Sequence, residues 1–227
     1  MSDLSGRTVV VVGAAGALGG GIASAFRAVG AHVVGLDRAV PSAEHRVDGV
    51  DYRPVDVLDD GSLAAAFGEL GRVWSVANVV GGYAPGGPLT ELDPDELLTQ
   101  LQLNLVSAAL VTKHALRVMT AAGEGRLVHT ASRVALETKG SGFAYSVSKA
   151  GVLHLVRMAA EQTQGTGITV NAVVPSIIDT PANRAAMPNA PHERWPTIGQ
   201  VAQAFVFLAS EEASLVSGAS VPVYGLV

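Results

Sequence analysis

The chain contains no cysteine. That excludes disulfides, thiolate metal sites and a cysteine nucleophile, and it fits a reducing cytoplasm. Charge is sparse as well: Asp, Glu, Lys and Arg make up 15% of residues, with a net charge of −5 and no cluster of Lys or Arg. A nucleic-acid partner is therefore not expected, because binding the phosphate backbone needs a basic patch. The six histidines form no His-x-His or His-Glu-x-x-His pair, so no metal site is expected. A Gly-x-Ser-x-Gly nucleophile elbow is missing too. One long uncharged stretch, residues 8–26, has the length of a membrane span or signal segment. Its glycines at 13, 16, 19, 20 and 21 make it a poor helix in lipid or water, and Asp3 spoils a positive leader. Neither a membrane protein nor a secreted one is expected; the expected location is the cytoplasm.

What is present is apolar and glycine-rich. Of 227 residues, 48% are hydrophobic and 26 are glycine. This composition describes a folded chain with ample core. The 26 glycines follow no collagen period, so they mark tight turns and close backbone approaches. Short β-branched runs alternate with helical spacing along the whole length, and no linker interrupts them. The expected fold is a single α/β domain over residues 1–227, doubly wound, with about seven parallel strands and helices on both faces.

The first unit is the most explicit. Residues 7–12 read as a strand buried on both faces. Gly13-Ala-Ala-Gly16-Ala-Leu-Gly19 follows, then apolar residues 22–29 at helical spacing, closed by Gly30. Residues 32–36 form a second strand that ends at Asp37. Glycines at a strand-to-helix turn let a pyrophosphate approach the backbone at the positive end of the helix. An acid about 20 residues beyond such a turn holds a ribose 2′-hydroxyl; Asp37 stands 18 positions after Gly19. Its alternative is a plain turn residue. A carboxylate there repels a 2′-phosphate and favours NAD over NADP, whereas Arg38 beside it offers a phosphate partner and leaves NADP possible.

The second signal is Tyr145-Ser-Val-Ser-Lys149. A tyrosine and a lysine four apart lie on one helix face. Alone, the pair is an ordinary helix face. Chemically, an ammonium beside a phenol favours the phenolate and lowers its pKa, which suits proton transfer near neutral pH. Ser132 ends the apolar run 125–132, read as a strand, and so stands at the sheet edge where open α/β folds bind ligands. His129, in the same strand, reads as a core residue.

The remaining pattern gives strands at 52–57, 73–80, 168–174 and 219–224. Helices are expected at 61–70, from Asp93-Pro94 onward, at 101–122, at 145–164 and at 198–209. Asn104 falls inside the long helix, where its side chain competes with backbone bonding. Residues 176–196 carry prolines at 181, 188, 191 and 196 and no clear period. The expectation there is a long surface loop over the substrate, residues 176–197 serving as a lid.

Together these residues resemble the short-chain dehydrogenase/reductase family, classical size, over nearly the whole chain. The glycine turn, Asn78, Asn104, Ser132, Tyr145 and Lys149 fall in that family's order and spacing. Pro175-Ser-Ile-Ile-Asp-Thr180 is similar to its turn beside the nicotinamide. Three positions depart: Ala17 replaces the middle glycine and Gly16 is present instead, Asn78-Val79-Val80-Gly81 replaces Asn-Asn-Ala-Gly, and Ser176 replaces a glycine. Residues 16–19 and 179–188 also resemble dihydropteridine reductase, a member of the family that lacks the catalytic serine; Ser132 speaks against simple identity.

The resemblance implies an NAD(P)-dependent oxidoreductase that moves a hydride between a nicotinamide and a carbonyl or secondary alcohol. It implies Tyr145 as general acid/base, Ser132 as a hydrogen-bond partner of the reacting oxygen, and Lys149 as the group that lowers the tyrosine pKa and holds the ribose. Asn104 would break its helix and anchor a relay water. Cofactor contacts are implied at Gly13, Ala15, Gly16, Ala17, Leu18 and Gly19. They are implied also at Asp37 and Arg38, at Asp56 and Val57 around the adenine, at Asn78, Val79 and Gly81, and at Pro175, Ile178 and Thr180. A dimer or tetramer through residues 101–122 and 145–164 is implied too. Pocket candidates, by position alone, are Tyr83, Val134, Met187 and Trp195. Two other readings stay open: a dinucleotide-binding regulator without turnover, and a sugar-nucleotide epimerase or dehydratase suggested by the glycine spacing.

Overall fold

A computed structural model describes residues 3–137 and 142–226. Seven parallel strands form one sheet in the order β3-β2-β1-β4-β5-β6-β7. The strands are β1 Thr8–Val12, β2 His32–Asp37, β3 Val50–Pro54, β4 Ser75–Asn78, β5 Gly125–Thr130, β6 Ile168–Pro175 and β7 Ser220–Val223. The helices between them are α1 Ala17–Ala28, α2 Asp60–Gly68, α3 Pro94–Gln100, α4 Ser107–Ala122, α5 Phe143–Gln162, α6 Pro181–Ala186 and α7 Ile198–Leu208.

Strand periodicity builds two cores. Val10, Val12, Val76 and Leu127 point to one face and pack with Leu63, Val111 and Val152 of α2, α4 and α5. Val9, Val11 and Val128 point to the other and pack with Ile22, Phe26 and Phe205 of α1 and α7. Alternate residues of a strand serve opposite faces, so a strand buried on both sides reads as a continuous apolar run. Strand order reverses between β1 and β4, and the crevice outside their carboxyl ends is where such sheets bind ligands.

Several boundaries differ from expectation, each for a local reason. β3 runs over Val50–Pro54 rather than 52–57. It is an edge strand, where a proline at its end breaks no ladder on the open side; beyond it Asp56 Oδ1 accepts from Leu58 N at 2.9 Å and turns the chain. β5 stops at Thr130, and Ser132 precedes the short helical turn Arg133–Ala135, its carbonyl accepting from Ala135 N at 3.0 Å. The helix expected over 101–122 begins as a π-helical turn, Leu101–Val106, continuous with α4. Residues 176–196 are less irregular than their prolines suggest: Thr180 caps α6 by accepting from Asn183 N, and Pro181 supplies its first turn. Among the described residues, no helix is long and apolar enough to cross a membrane.

Candidate active site

The glycine turn is tied to the second strand: Gly13 N and Ala14 N both donate to Leu36 O, at 2.8 and 3.3 Å. Gly13 has φ +91°, and a Cβ there would lie 3.1 Å from Val79 Cγ2 and from Val80 N. A Cβ on Gly19 would lie 2.0 Å from Gly13 O, so α1 can seat on the turn only with glycine there. Gly16, the exposed N-cap of α1, is different. Its side chain would meet only Gly13 O at 3.7 Å, it makes no capping bond, and no acid occupies the first turn of α1. The turn therefore offers open space and unopposed helix N–H groups at the positive end of α1, which fits a pyrophosphate. Ala17 is the first residue of α1. Asp37 Oδ2 accepts from Ala15 N at 2.9 Å and Oδ1 from Arg38 N at 2.7 Å. The carboxylate is thereby oriented, and each oxygen keeps a lone pair for a hydroxyl. Asp56 and Val57 stand on the turn after β3.

Tyr145 lies in the first turn of α5, whose N-cap Gly142 has φ +100°. The Ser132 side chain is near enough to its hydroxyl to act on its pKa. Burial pushes the phenol above its ordinary value; Ser132 pulls it down, and Tyr83 pushes it up. This corrects one expectation, since Lys149 does not lower the tyrosine here. Lys149 is 3% exposed, its Nζ donates to Thr130 O at 3.0 Å and lies 6.0 Å from the Tyr145 ring centre. Burial brings its own pKa down to about 8. Tyr83 stands edge-on to Tyr145 with ring centres 5.2 Å apart.

Asn104 is held by the π-helical turn. Its Oδ1 accepts from Gly82 N at 3.0 Å, and its Nδ2 donates to Gly82 O and Gln100 Oε1, both at 3.1 Å. The side chain thus clamps the segment after β4 rather than standing free. A Cβ on Gly81 would lie 2.6 Å from Asn104 Oδ1 and 2.8 Å from Lys149 Nζ, so these two groups converge only because residue 81 is glycine. α5 is pressed against the π-helical turn: a Cβ on Gly151 would lie 2.7 Å from Leu105 Cδ2.

Val79 N donates to Val12 O at 2.9 Å, which places the segment 79–81 beside the glycine turn. Asn78 is buried; its Oδ1 accepts from Val80 N at 3.3 Å and its Nδ2 meets His129 Nδ1 at 3.1 Å. Gln100 and Thr112 belong to this constellation and escaped the sequence reading, since no motif marks them. The signal that would have found Thr112 is its place on the helix packed over β5. Ser176, in place of the family glycine, donates to Tyr224 O at 2.8 Å and pins the C-terminal segment. Leu226 N donates to Arg194 O at 2.8 Å. Ile178 O accepts from Asn183 Nδ2, and Arg184 grips Asp179 through two nitrogens at 2.5 and 2.8 Å. Of the pocket candidates, Tyr83 is exposed, Val134 and Met187 are half-buried, and Trp195 is buried against His192. Trp195 therefore packs the segment from within and is corrected out of the pocket. Among the described residues no group of acids and histidines is arranged to hold a metal.

A doubly wound sheet with a glycine turn at its switch point and a Ser–Tyr–Lys cluster across the crevice defines a dinucleotide-dependent oxidoreductase. The chain belongs to the short-chain dehydrogenase/reductase family. A family model described as enoyl-(acyl carrier protein) reductase matches residues 13–225. The cis-4-hydroxycyclohexanecarboxylate dehydrogenase of Sinomonas cyclohexanicum is 38% identical, over 96% of this chain and 95% of that protein. A 3-oxoacyl-[acyl-carrier-protein] reductase of Pseudomonas aeruginosa is 32% identical, over 98% of each. A short-chain type dehydrogenase/reductase from Mycobacterium ulcerans superposes with TM-score 0.90 at 28% identity, over 99% of this chain and 90% of that one. A Beutenbergia cavernae structure with bound NADP at low occupancy gives TM-score 0.89 at 30% identity, over 98% and 97%. The protein is an NAD(P)-dependent oxidoreductase acting on alcohol or carbonyl substrates.

Proposed function

We propose that Tyr145 is the general acid/base of this oxidoreductase, and that NAD(H) serves it in preference to NADP(H). The observation that carries the first part is the placing of Tyr145 in the first turn of α5, near Ser132 and one helical turn before the buried Lys149, at the carboxyl edge of the sheet. When bound, the nicotinamide supplies or takes up the hydride. In carbonyl reduction the substrate carbon gains that hydride and its oxygen gains the Tyr145 proton; alcohol oxidation reverses both transfers. Ser132 donates to or accepts from the same oxygen and holds it against the phenol. Lys149 lies within reach of the crevice through Gly81 and would hold the ribose. A water between Lys149 Nζ and Asn104 Oδ1 would return the proton from solvent, since that oxygen keeps one lone pair beyond its bond to Gly82.

Gly13, Ala15, Gly16, Ala17, Leu18 and Gly19 would surround the pyrophosphate. Asp37 would take the ribose hydroxyls and disfavour a 2′-phosphate, with Arg38 as the residue that softens this preference. Asp56 and Val57 would flank the adenine. Asn78, Val79, Gly81, Pro175, Ile178 and Thr180 would line the nicotinamide side. Residues 176–197 would act as the lid of a single dinucleotide-binding domain spanning 1–227.

The substrate is read as a small secondary alcohol on a ring, or its ketone. Two observations support this: the exposed Tyr83 ring beside Tyr145, and the 38% identity to an enzyme named for a hydroxycyclohexane carboxylate. A dimer or tetramer in the cytoplasm completes the reading; association is supported by exposed Val106, Val147 and Met158 on the helices involved.

Tyr145→Phe tests the central claim. It should keep NADH binding and lose about 10²–10⁴ in turnover on a panel of cyclic ketones, acyclic ketones, quinones and a quinonoid pterin. Unchanged turnover would remove Tyr145 from the acid/base role. A wild type that binds NADH yet reduces nothing would favour the regulator.

A further inference from the structure

We propose that His129 is a positioning residue of the cofactor site: held by Thr112, it sets the side-chain amide of Asn78 and through it the segment Val79–Gly81. His129 is fully buried on β5, opposite Asn78 in the β4–β5 register. Its Nε2 lies 3.0 Å from Thr112 Oγ1, and its Nδ1 lies 3.1 Å from Asn78 Nδ2. The proton assignments follow from the partners. Thr112 has one hydroxyl proton and donates it to Ala108 O at 2.7 Å, so toward His129 it is an acceptor. His129 therefore carries its proton on Nε2. Its Nδ1 is then an acceptor, which demands the amide nitrogen of Asn78 on that side. The Asn78 oxygen is left for Val80 N.

Every donor in this chain has one acceptor, and reversing any member leaves two donors or two acceptors face to face. The end of the chain matters because of what Val79 and Val80 touch. They press against Gly13 of the cofactor turn on one side, and Gly81 admits Asn104 and Lys149 on the other. His129 is thus separated from both halves of the cofactor site by one amide. It touches no substrate and acts through Asn78. The inference rests on the reading above only in taking NADH as the ligand of that crevice.

The full chain labelled with ¹⁵N-histidine gives a readout that needs no cofactor: the His129 ring nitrogens should show the Nε2–H tautomer. Thr112→Val should shift that signal and weaken NADH binding about threefold. His129→Leu should weaken NADH binding about tenfold while the KM for the carbonyl substrate stays within about twofold. His129→Gln, whose amide presents one acceptor and one donor, should restore NADH binding to within about threefold of wild type. A proton found on Nδ1 would overturn the proposal, as would a folded His129→Leu that binds NADH like wild type. If His129→Leu does not fold, the Thr112→Val titration and the His129→Gln rescue decide in the same way. A wild type with the Nε2–H tautomer that binds no NADH would instead strike at the proposed function.

Discussion

Tyr83 stands perpendicular to Tyr145, ring centres 5.2 Å apart, with 60% of its own surface open to solvent. It covers the phenol and helps keep it protonated, since burial and Tyr83 both push the Tyr145 pKa up. Tyr83→Ala should therefore lower the Tyr145 pKa and move the alkaline limb of carbonyl reduction to lower pH. The same variant should lose about tenfold in kcat/KM for cyclic ketones, the size of one aromatic contact. A pH–rate profile with two ketones checks both. An unmoved limb would show that Tyr83 does not shield the acid.

Lys149 is a buried cation whose Nζ donates to Thr130 O, and among the described residues no carboxylate pairs with it. Its folded pKa, about 8, lies below the ordinary 10.5. Between those values the unfolded chain holds a proton that the folded chain has lost, so stability rises with pH across that window. Below about pH 8 the full penalty for the buried charge applies. Lys149→Met should stabilise the ligand-free protein by about 2 kcal/mol at neutral pH and abolish turnover. Thermal melts at pH 7 and pH 10 measure it: the gain should shrink at the higher pH.

Burial holds His129 neutral, its pKa brought from 6.5 down to about 3, with Lys149 adding repulsion. Above pH 6.5 both folded and unfolded chains leave this ring uncharged, and its contribution is intact. As pH falls from 6.5 toward 3 the unfolded chain takes up a proton that the folded chain refuses. Stability should then fall by about 1.4 kcal/mol per pH unit. Urea titrations at pH 7, 5.5 and 4.5 should show that slope, and His129→Gln should flatten it.

Asp37 serves the glycine turn through Ala15 N and Arg38 N, and in the proposed function it takes the ribose hydroxyls. Asp37→Ser keeps a hydroxyl for the turn and removes the charge that repels a 2′-phosphate. It should weaken NADH about tenfold and strengthen NADPH by at least as much, leaving Arg38 as the phosphate partner. Binding titrations with both dinucleotides read the reversal directly. Equal losses for both would mean that Asp37 supports the turn alone.

The alternation of apolar runs and the glycines at 13 and 19 were legible from the chain because each is a local demand: a strand buried twice, a turn without room for a Cβ. Tyr145 and Lys149 were legible as one helix face for the same reason. Asn104 was legible as an oddity within a helix, but its cause, a π-helical turn clamped to Gly82, was not. Residues 176–196 were misjudged because prolines hide the one-turn grip of Thr180 on Asn183. Trp195 looked like a pocket wall in sequence and is instead buried within its own segment, against His192.

What the order of residues settled on its own was the class of fold, the glycine turn and the shared helix face of Tyr145 and Lys149, all written in spacings of a few residues. What required the folded molecule was every relation across the sheet. Lys149 finds Thr130 O rather than the phenol, and burial raises the tyrosine that the lysine was expected to lower. His129 meets Asn78 and Thr112. Those relations depend on strand register and on exclusion of water, and neither quantity is a property of any single stretch of chain.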